Sequence, residues 1–130
     1  MKKEKEILKH EGEIWLNNPE AHDFPAALDY LELLFPAEKC KQIVARLKRA
    51  KTVQKKSKDI FRASRLPLLP PDNRHVKDNL KKVKSNTRLS PILLVRGKPD
   101  LIIADGYHRL CSSYYLTEDL DVPCRIVSID

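Results

Sequence analysis

The chain of 130 residues lacks several features that would assign it to a protein class directly. No apolar run approaches the roughly 20 residues that span a bilayer, which argues against a membrane protein. Lysines near the start are not followed by an apolar segment, so no secretory signal peptide is expected. Cys40, Cys111 and Cys124 are an odd number without metal-ligand spacing. We therefore expect a cytoplasmic protein with reduced thiols, no disulfide framework and no metal site.

Aromatic residues are also scarce, and Phe61 is the only one between residues 36 and 106. Base stacking is therefore not the expected mode of nucleic-acid binding. Charge is plentiful but unevenly placed. Residues 39–98 carry 19 basic and three acidic side chains, a net charge of +16, whereas 1–38 and 99–130 have net charges of −5 and −4. Such a basic block indicates either pairing within the molecule or an anionic partner such as nucleic acid or nucleotide phosphates.

Hydrophobic periodicity predicts a helical hairpin in the first half of the chain. Asp23 can cap the first helix, Pro25 lies in its first turn and Pro36 ends it. A second helix is predicted over about 37–50, where apolar residues recur at helical spacing: Cys40, Ile43, Val44 and Leu47. Residues 51–59 lack an apolar stripe and are predicted to be a linker or a frayed helix end.

Short apolar runs and helical patterns alternate in the second half of the chain. The pattern predicts a strand over 66–69, then a helix over about 76–84 capped by Asp72 or Asn73. Two strands follow, in "SPILLVRG" and "DLIIADG", with a tight connection between them. A helix over about 106–116 and a closing strand in "VPCRIVSI" complete the order, which indicates a small α/β domain with helices packed on a sheet.

The sequence Asp-Gly-Tyr-His-Arg, residues 105–109, lies where a strand is predicted to turn into a helix. Gly106 lets the backbone turn tightly, and the amides after it are unsatisfied donors at the positive end of a helix dipole. Arg109 offers a planar fork for phosphate oxygens, and His108 can move a proton near neutral pH. Asp105 can cap the helix, hold a metal-bound water or act as a base. The turn therefore predicts an anion site, with phosphate as the first candidate.

Each of these residues also has a structural interpretation. Asp105 serves only as a helix cap in that interpretation, Tyr107 packs over the turn, His108 is structural and Arg109 forms a surface ion pair. A position outside the carboxyl end of a strand favours the ligand site, because ligands gather there in open α/β folds.

Residues 65–127 resemble the ParB/sulfiredoxin superfamily, on the strength of "SPILLVR", "LIIADGYHRL" and "VPCRIV". The resemblance implies a compact α/β domain with a mixed sheet over 58–130. Residues 1–57 lie outside the resemblance and are predicted to be an N-terminal helical extension with a basic linker. It also implies a nucleoside phosphate with Mg²⁺ as ligand. The phosphate-binding residues implied by it are Gly106, Tyr107, His108, Arg109 and, from the upstream side, Arg74.

The superfamily's activities transfer unevenly to this chain. The attacking cysteine of sulfiredoxins and the catalytic glutamate of ParB partition proteins both fall on Tyr107, so neither activity is expected. Free serine kinases resemble the Asp-Gly-x-His-Arg form more closely, but their upstream glutamate has no counterpart in 59–75, whose only acids are Asp59 and Asp72. A phosphotransferase or nuclease using Asp105 and His108 stays an alternative.

The basic block predicts a second site, for the phosphates of nucleic acid, and an association with DNA. Its predicted contacts are Arg46, Arg49, Lys55, Lys56, Lys58 and Arg62. The alternative is a solvated basic surface whose charge is offset by the acidic first 38 residues.

A third hypothesis is a noncatalytic interaction module. The helical hairpin would then dock a partner or form a homodimer through the N-terminal helices. In that case an exposed groove is expected between the helices, lined by Leu28, Leu31, Leu34, Ile43, Val44 and Leu47.

Overall fold

A computed structural model describes residues 14–130, and within them helices lie on both faces of a four-stranded sheet. The elements are α1 (Asp23–Leu31), α2 (Ala37–Arg49), β1 (Val53–Lys56), α3 (Ser57–Ser64), α4 (Arg74–Lys84), β2 (Ile92–Arg96), β3 (Leu101–Asp105), α5 (Tyr107–Leu116) and β4 (Asp121–Ser128). In this range no helix is long and apolar enough to cross a membrane.

The sheet has the strand order β1-β4-β2-β3 and is mixed. β2 pairs with β3 in antiparallel and with β4 in parallel, and β1 pairs with β4 in antiparallel. β2 is central, and its residues 92–95 are fully buried because both faces of the sheet are covered. The predicted α/β class with a mixed sheet and a preceding helical hairpin is confirmed.

Alternate residues of β2 face two different cores. Ile92 and Leu94 pack in a cluster with residues of α3, α4 and α5, whereas Leu93 and Val95 pack with residues of α1 and α2. The hairpin therefore covers one face of the sheet. This burial explains the apolar stripe of the hairpin, because the leucines and the isoleucine of its helices pack against the sheet.

The predicted exposed groove of the hairpin is wrong. Four of its six residues are buried against the sheet: Leu31, Ile43, Val44 and Leu47. Leu34 is exposed, and Leu33 beside it is 81% exposed at the connection between α1 and α2. A homodimer through these helices stays a prediction, but the groove that motivated it is occupied by the sheet.

The structure of two segments, residues 51–59 and 66–69, differs from the prediction. Residues 51–59 contain β1 and the start of α3, not a linker, because β1 is an edge strand held by backbone hydrogen bonds to β4 while all its side chains are exposed. Residues 66–69 form no strand. Pro67, Pro70 and Pro71 remove backbone donors there, and the segment is fastened by two tyrosine hydroxyls of α5.

The predicted division into 1–57 and 58–130 stays a prediction, and its boundary falls at the first turn of α3. α1 and α2 nevertheless pack on the sheet, and β1 pairs with β4. The predicted cap of α4 is confirmed: the Asn73 side chain accepts hydrogen bonds from the amides of His75 at 3.1 Å and Val76 at 3.3 Å.

Candidate functional site

A polar cleft of about 440 Å³ lies at the end of β3, where α5 begins. The whole turn 105–109 lines it, so the structure brings five of the predicted site residues together. The opposite wall comes from one side of α4, from residues 88–90 and from Glu20 and His22 of the N-terminal region. Arg74 is exposed at the start of α4 and is not one of the residues that line the cleft, so its closing of the site from the far side stays a prediction.

Gly106 has a left-handed backbone with φ of 103° and precedes the first residue of α5. A Cβ at this position would lie 2.6 Å from Cδ1 of Ile92 and 2.9 Å from Nη2 of Arg109. Glycine is therefore required both by the backbone angle and by crowding from within the protein. The space that its missing side chain leaves is filled by Ile92 and by the Arg109 guanidinium.

Arg109 is folded back onto the turn and is not a free phosphate fork. Its Nη2 donates to Oδ2 of Asp105 at 2.9 Å and to the Pro91 carbonyl at 3.2 Å, and its Nε donates to the Ser90 carbonyl at 3.0 Å. The two side chains of the ion pair are only 18% and 15% exposed. Arg109 thus ties the start of α5 to the end of β3 and to the segment entering β2, and its predicted role in phosphate binding stays a prediction.

Asp105 is engaged by this ion pair and is not a free base. Burial raises the pKa of its carboxyl, the Arg109 guanidinium opposes that rise, and the nearby Asp23 carboxyl adds to it. Asp23 is 1% exposed and accepts a hydrogen bond from the Glu20 amide at 2.9 Å. Asp105 makes no side-chain cap on α5, so the predicted capping role is also not met.

The first turn of α5 keeps its amides unpaired. Leu110 is the first residue of the turn whose amide is bonded, to the Gly106 carbonyl at 2.9 Å. The amides of Tyr107, His108 and Arg109 have no acceptor among residues 14–130. The residues that carry these three donors, at the positive end of the helix dipole, all line the cleft.

The two remaining side chains of the turn have protein partners. The Tyr107 hydroxyl donates to the Pro67 carbonyl, so this side chain fastens the segment before α4. The His108 ring lies 4.7 Å from the His75 ring, centroid to centroid. Burial lowers the pKa of His108, and the His75 and Arg109 charges lower it further, so its imidazole is neutral at pH 7.

Lys82 and Arg88 are the exposed cations of the cleft wall, and the sequence did not assign them to it. Neither has an ion-pair partner in the described part of the chain. A signal for Lys82 was present, because His75, Asp78 and Lys82 lie three or four residues apart on one side of α4. Nothing local in the sequence indicates that Arg88 borders the same cleft.

Glu20 is the other residue that sequence reasoning missed. It lines the cleft and accepts a hydrogen bond from the Ser90 hydroxyl at 2.7 Å, across 70 residues of chain. Glu20 lies far upstream of residues 59–75, the segment in which the family resemblance places an acid. The carboxylates of the cleft come from Glu20, Asp78 and the paired Asp105.

The predicted nucleic-acid contacts do not form one unpaired basic surface. Three of the six lie in ion pairs: Lys56 with Asp121 at 3.1 Å, Lys58 with Asp119 at 2.6 Å and Arg62 with Asp59 at 3.6 Å. Arg46 donates to the Asp130 carbonyl at 3.3 Å. Arg49 and Lys55 are exposed without an ion-pair partner in the described residues. Pairing within the molecule therefore accounts for part of the basic block.

The cysteines take no part in the cleft. Cys40, Cys111 and Cys124 are buried free thiols. Burial raises the pKa of all three, and that of Cys124 to about 11, so none is a ready thiolate. Within residues 14–130 no three His, Cys, Asp or Glu side chains converge to hold a metal ion. A Mg²⁺ arriving with a nucleotide would be coordinated chiefly by phosphate oxygens and water.

Fold and cleft together define a small mixed α/β domain with a ligand-sized polar cleft at a strand-to-helix junction. No family model, no curated protein and no solved structure matches the chain.

Proposed function

We propose that this protein binds the phosphates of a nucleotide at the first turn of α5, in the manner that its resemblance to the ParB/sulfiredoxin superfamily implies, and that it acts in the cytoplasm. The observation that carries the proposal is a set of three amides, of Tyr107, His108 and Arg109, that have no acceptor among residues 14–130. Their residues line one cleft with Lys82 and Arg88, which have no ion-pair partner in the same range. Amides at a helix start and flexible cations are the usual partners of phosphate.

The rest of the cleft suits a nucleoside phosphate better than a free anion. Its volume of about 440 Å³ lies within the range of small-molecule sites. Glu20 and Asp78 bring carboxylates to the same cleft, and these accept hydrogen bonds from the hydroxyl and amino groups of a nucleoside. In this proposal the side chains of Asp105 and Arg109 have a positioning role: they hold the first turn of α5 in place and do not touch the ligand.

Removing both cleft cations is expected to weaken nucleotide binding by at least about tenfold, because a hydrogen bond to a charged group contributes about 1.5–3 kcal/mol. The variant is Lys82→Ala/Arg88→Ala, and the measurement is calorimetric titration with ATP, ADP and CTP in the presence of Mg²⁺. Lys41→Ala/Arg49→Ala is the matched control, since it removes one exposed lysine and one exposed arginine from α2.

The control is expected to bind like the unmodified protein. Equal weakening in the two variants would mean that net charge alone attracts the nucleotide. The proposal would be contradicted if none of the three nucleotides bound at millimolar concentration.

A phosphotransferase or nuclease is the second candidate, and the state of His108 favours it. A neutral imidazole beside the phosphate-binding amides can accept a proton from an attacking hydroxyl or water. Asp105, which shares its carboxylate with Arg109, is not free for that step. The base in this candidate is therefore His108 alone.

If the second candidate holds, His108→Gln should abolish phosphate release and leave the nucleotide Kd nearly unchanged. Because the pKa of His108 lies below its usual 6.5, the rate should be constant above that pH and fall only in more acidic buffer, as the imidazole takes up a proton. Phosphate release by the variant at the unmodified rate would rule His108 out as the base.

A further inference from the structure

The outer face of α4 carries a row of four cations, which we call the cationic ridge: Arg74, Lys77, Lys81 and Lys84. Their spacing of three or four residues places them along one side of the helix. All four are exposed, and the buried residues of α4 lie on another side: Val76, Asn79 and Val83. No carboxylate of residues 14–130 forms an ion pair with any of the four.

Helix stability does not explain the ridge. Arg74 is the first residue of α4 and Lys77 the fourth, and the first turn contains no acid. Cations are unfavourable at that end, because the helix dipole is positive there. Only Lys81 and Lys84, near the other end, gain from the dipole. Arg74 and Lys77 therefore lower the stability of the helix. Their presence is explained if they bind an anionic partner.

The chemistry of the ridge identifies the class of partner. The apolar side of α4 is buried in the core, so the helix has no apolar face to insert into a lipid surface. No aromatic side chain belongs to the ridge, so it offers nothing on which unpaired bases could stack. From Arg74 to Lys84 the helix rises about 15 Å. One strand of a duplex carries a phosphate about every 3.4 Å along the axis, so this length matches about four phosphates.

We propose that the cationic ridge binds the sugar–phosphate backbone of double-stranded nucleic acid without reading its sequence. Asn86 follows the helix and is exposed, and its side-chain amide adds a neutral donor of the kind that phosphates accept. By contrast, three of the six contacts predicted from the sequence are in ion pairs within the protein.

The ridge is independent of the nucleotide cleft. His75, Asp78 and Lys82 lie on the side of α4 that lines the cleft, whereas the ridge residues do not line it. One helix therefore presents two sides with different partners, and a substitution on one side leaves the other intact. Duplex binding does not rest on the proposed nucleotide binding.

The test compares two triple variants of the full chain, each of which loses three positive charges. Lys77→Ala/Lys81→Ala/Lys84→Ala removes most of the ridge and preserves helix propensity, since alanine is the best helix former. The control, Lys41→Ala/Lys48→Ala/Lys51→Ala, removes three exposed lysines that lie elsewhere and outside the contacts predicted from the sequence. Binding of a fluorescently labelled, random-sequence DNA duplex is followed by anisotropy over a series of salt concentrations.

The ridge variant is expected to lose at least about tenfold in duplex affinity at low salt, and its salt slope should fall by about three, one for each phosphate contact removed. It should keep its circular dichroism spectrum and its ATP affinity, whereas Lys82→Ala/Arg88→Ala should keep its duplex affinity. The control should bind the duplex nearly as well as the unmodified chain.

Three results would overturn the inference. One is a ridge variant that binds the duplex like the unmodified chain. Another is equal loss in the ridge variant and the control, which would mean diffuse attraction by net charge. The third is tighter binding to single-stranded DNA, to anionic vesicles or to polyglutamate than to the duplex.

Discussion

Replacing Arg109 with alanine is expected to lower the free energy of unfolding by about 3 kcal/mol, the lower end of the cost of leaving one member of a buried ion pair without its partner, because this pair is mostly but not fully buried. The Asp105 carboxylate, 15% exposed, would lose the one cation that pairs with it among residues 14–130, and the carbonyls of Ser90 and Pro91 would lose the Arg109 donor. Denaturant unfolding followed by circular dichroism measures the loss.

The pH dependence of that loss tests its cause. Arg109 holds the pKa of Asp105 down against burial, so the carboxyl should take up a proton more readily in the alanine variant. Protonation removes the uncompensated charge, and the defect should therefore shrink as the pH falls. Asp105→Asn in the same background should recover part of the stability at neutral pH, because no buried charge is then left alone.

A small loss of stability in Arg109→Ala, below about 1 kcal/mol, is what an exposed ion pair would give. Combined with abolished nucleotide binding, it would show that Arg109 contacts the ligand, as the sequence predicted, and that the ion pair with Asp105 is dispensable. Arg109→Lys should lie between the two extremes, since an ammonium keeps the charge but cannot reach three acceptors at once.

Gly106→Ala is expected to lower the free energy of unfolding by about 3 kcal/mol, from left-handed strain and overpacking of about 1–3 kcal/mol each. Alanine would carry the φ of 103° and would bring a methyl group to within 2.6 Å of Ile92 and 2.9 Å of the Arg109 guanidinium. Thermal and denaturant unfolding measure the loss.

Gly106→Asn separates the two causes. Asparagine tolerates a left-handed backbone better than alanine, but its Cβ meets the same atoms. If crowding by Ile92 and Arg109 dominates, the asparagine variant should be as unstable as the alanine variant. Full stability of Gly106→Asn would contradict the close packing of Arg109 against the turn.

The fold was predictable where a segment's own residues determine its environment. The strands β2, β3 and β4 were predicted because continuous apolar runs are typical of strands buried on both faces of a sheet. The start of α5 was predicted because Gly106 marks the turn that follows β3. β1 was missed because backbone pairing with β4 holds it, and its exposed side chains leave no pattern. The apolar run 66–69 gave a false strand, because its prolines and the tyrosines of α5 determine its path.

The site was predictable in its backbone and not in its side chains. A glycine before a helix indicates free amides, and the amides are there. The ion pair of Arg109 depends on how deeply its side chain is buried, and burial of one side chain cannot be read from the sequence. The spacing of four residues between Asp105 and Arg109 was nevertheless a signal, because it is that of a helical ion pair. Glu20 and Arg88 reach the cleft through tertiary contacts alone, and no local pattern could have placed them.

Titration of the isotope-labelled protein with Mg²⁺-ATP, followed through its backbone amide resonances, tests most directly whether the first turn of α5 holds phosphate. We predict that the amides of Tyr107, His108 and Arg109 shift furthest and saturate together, while those of Lys77 and Lys81 move little. Unchanged resonances for the three amides at millimolar nucleotide, or larger shifts elsewhere in the protein, would contradict the account.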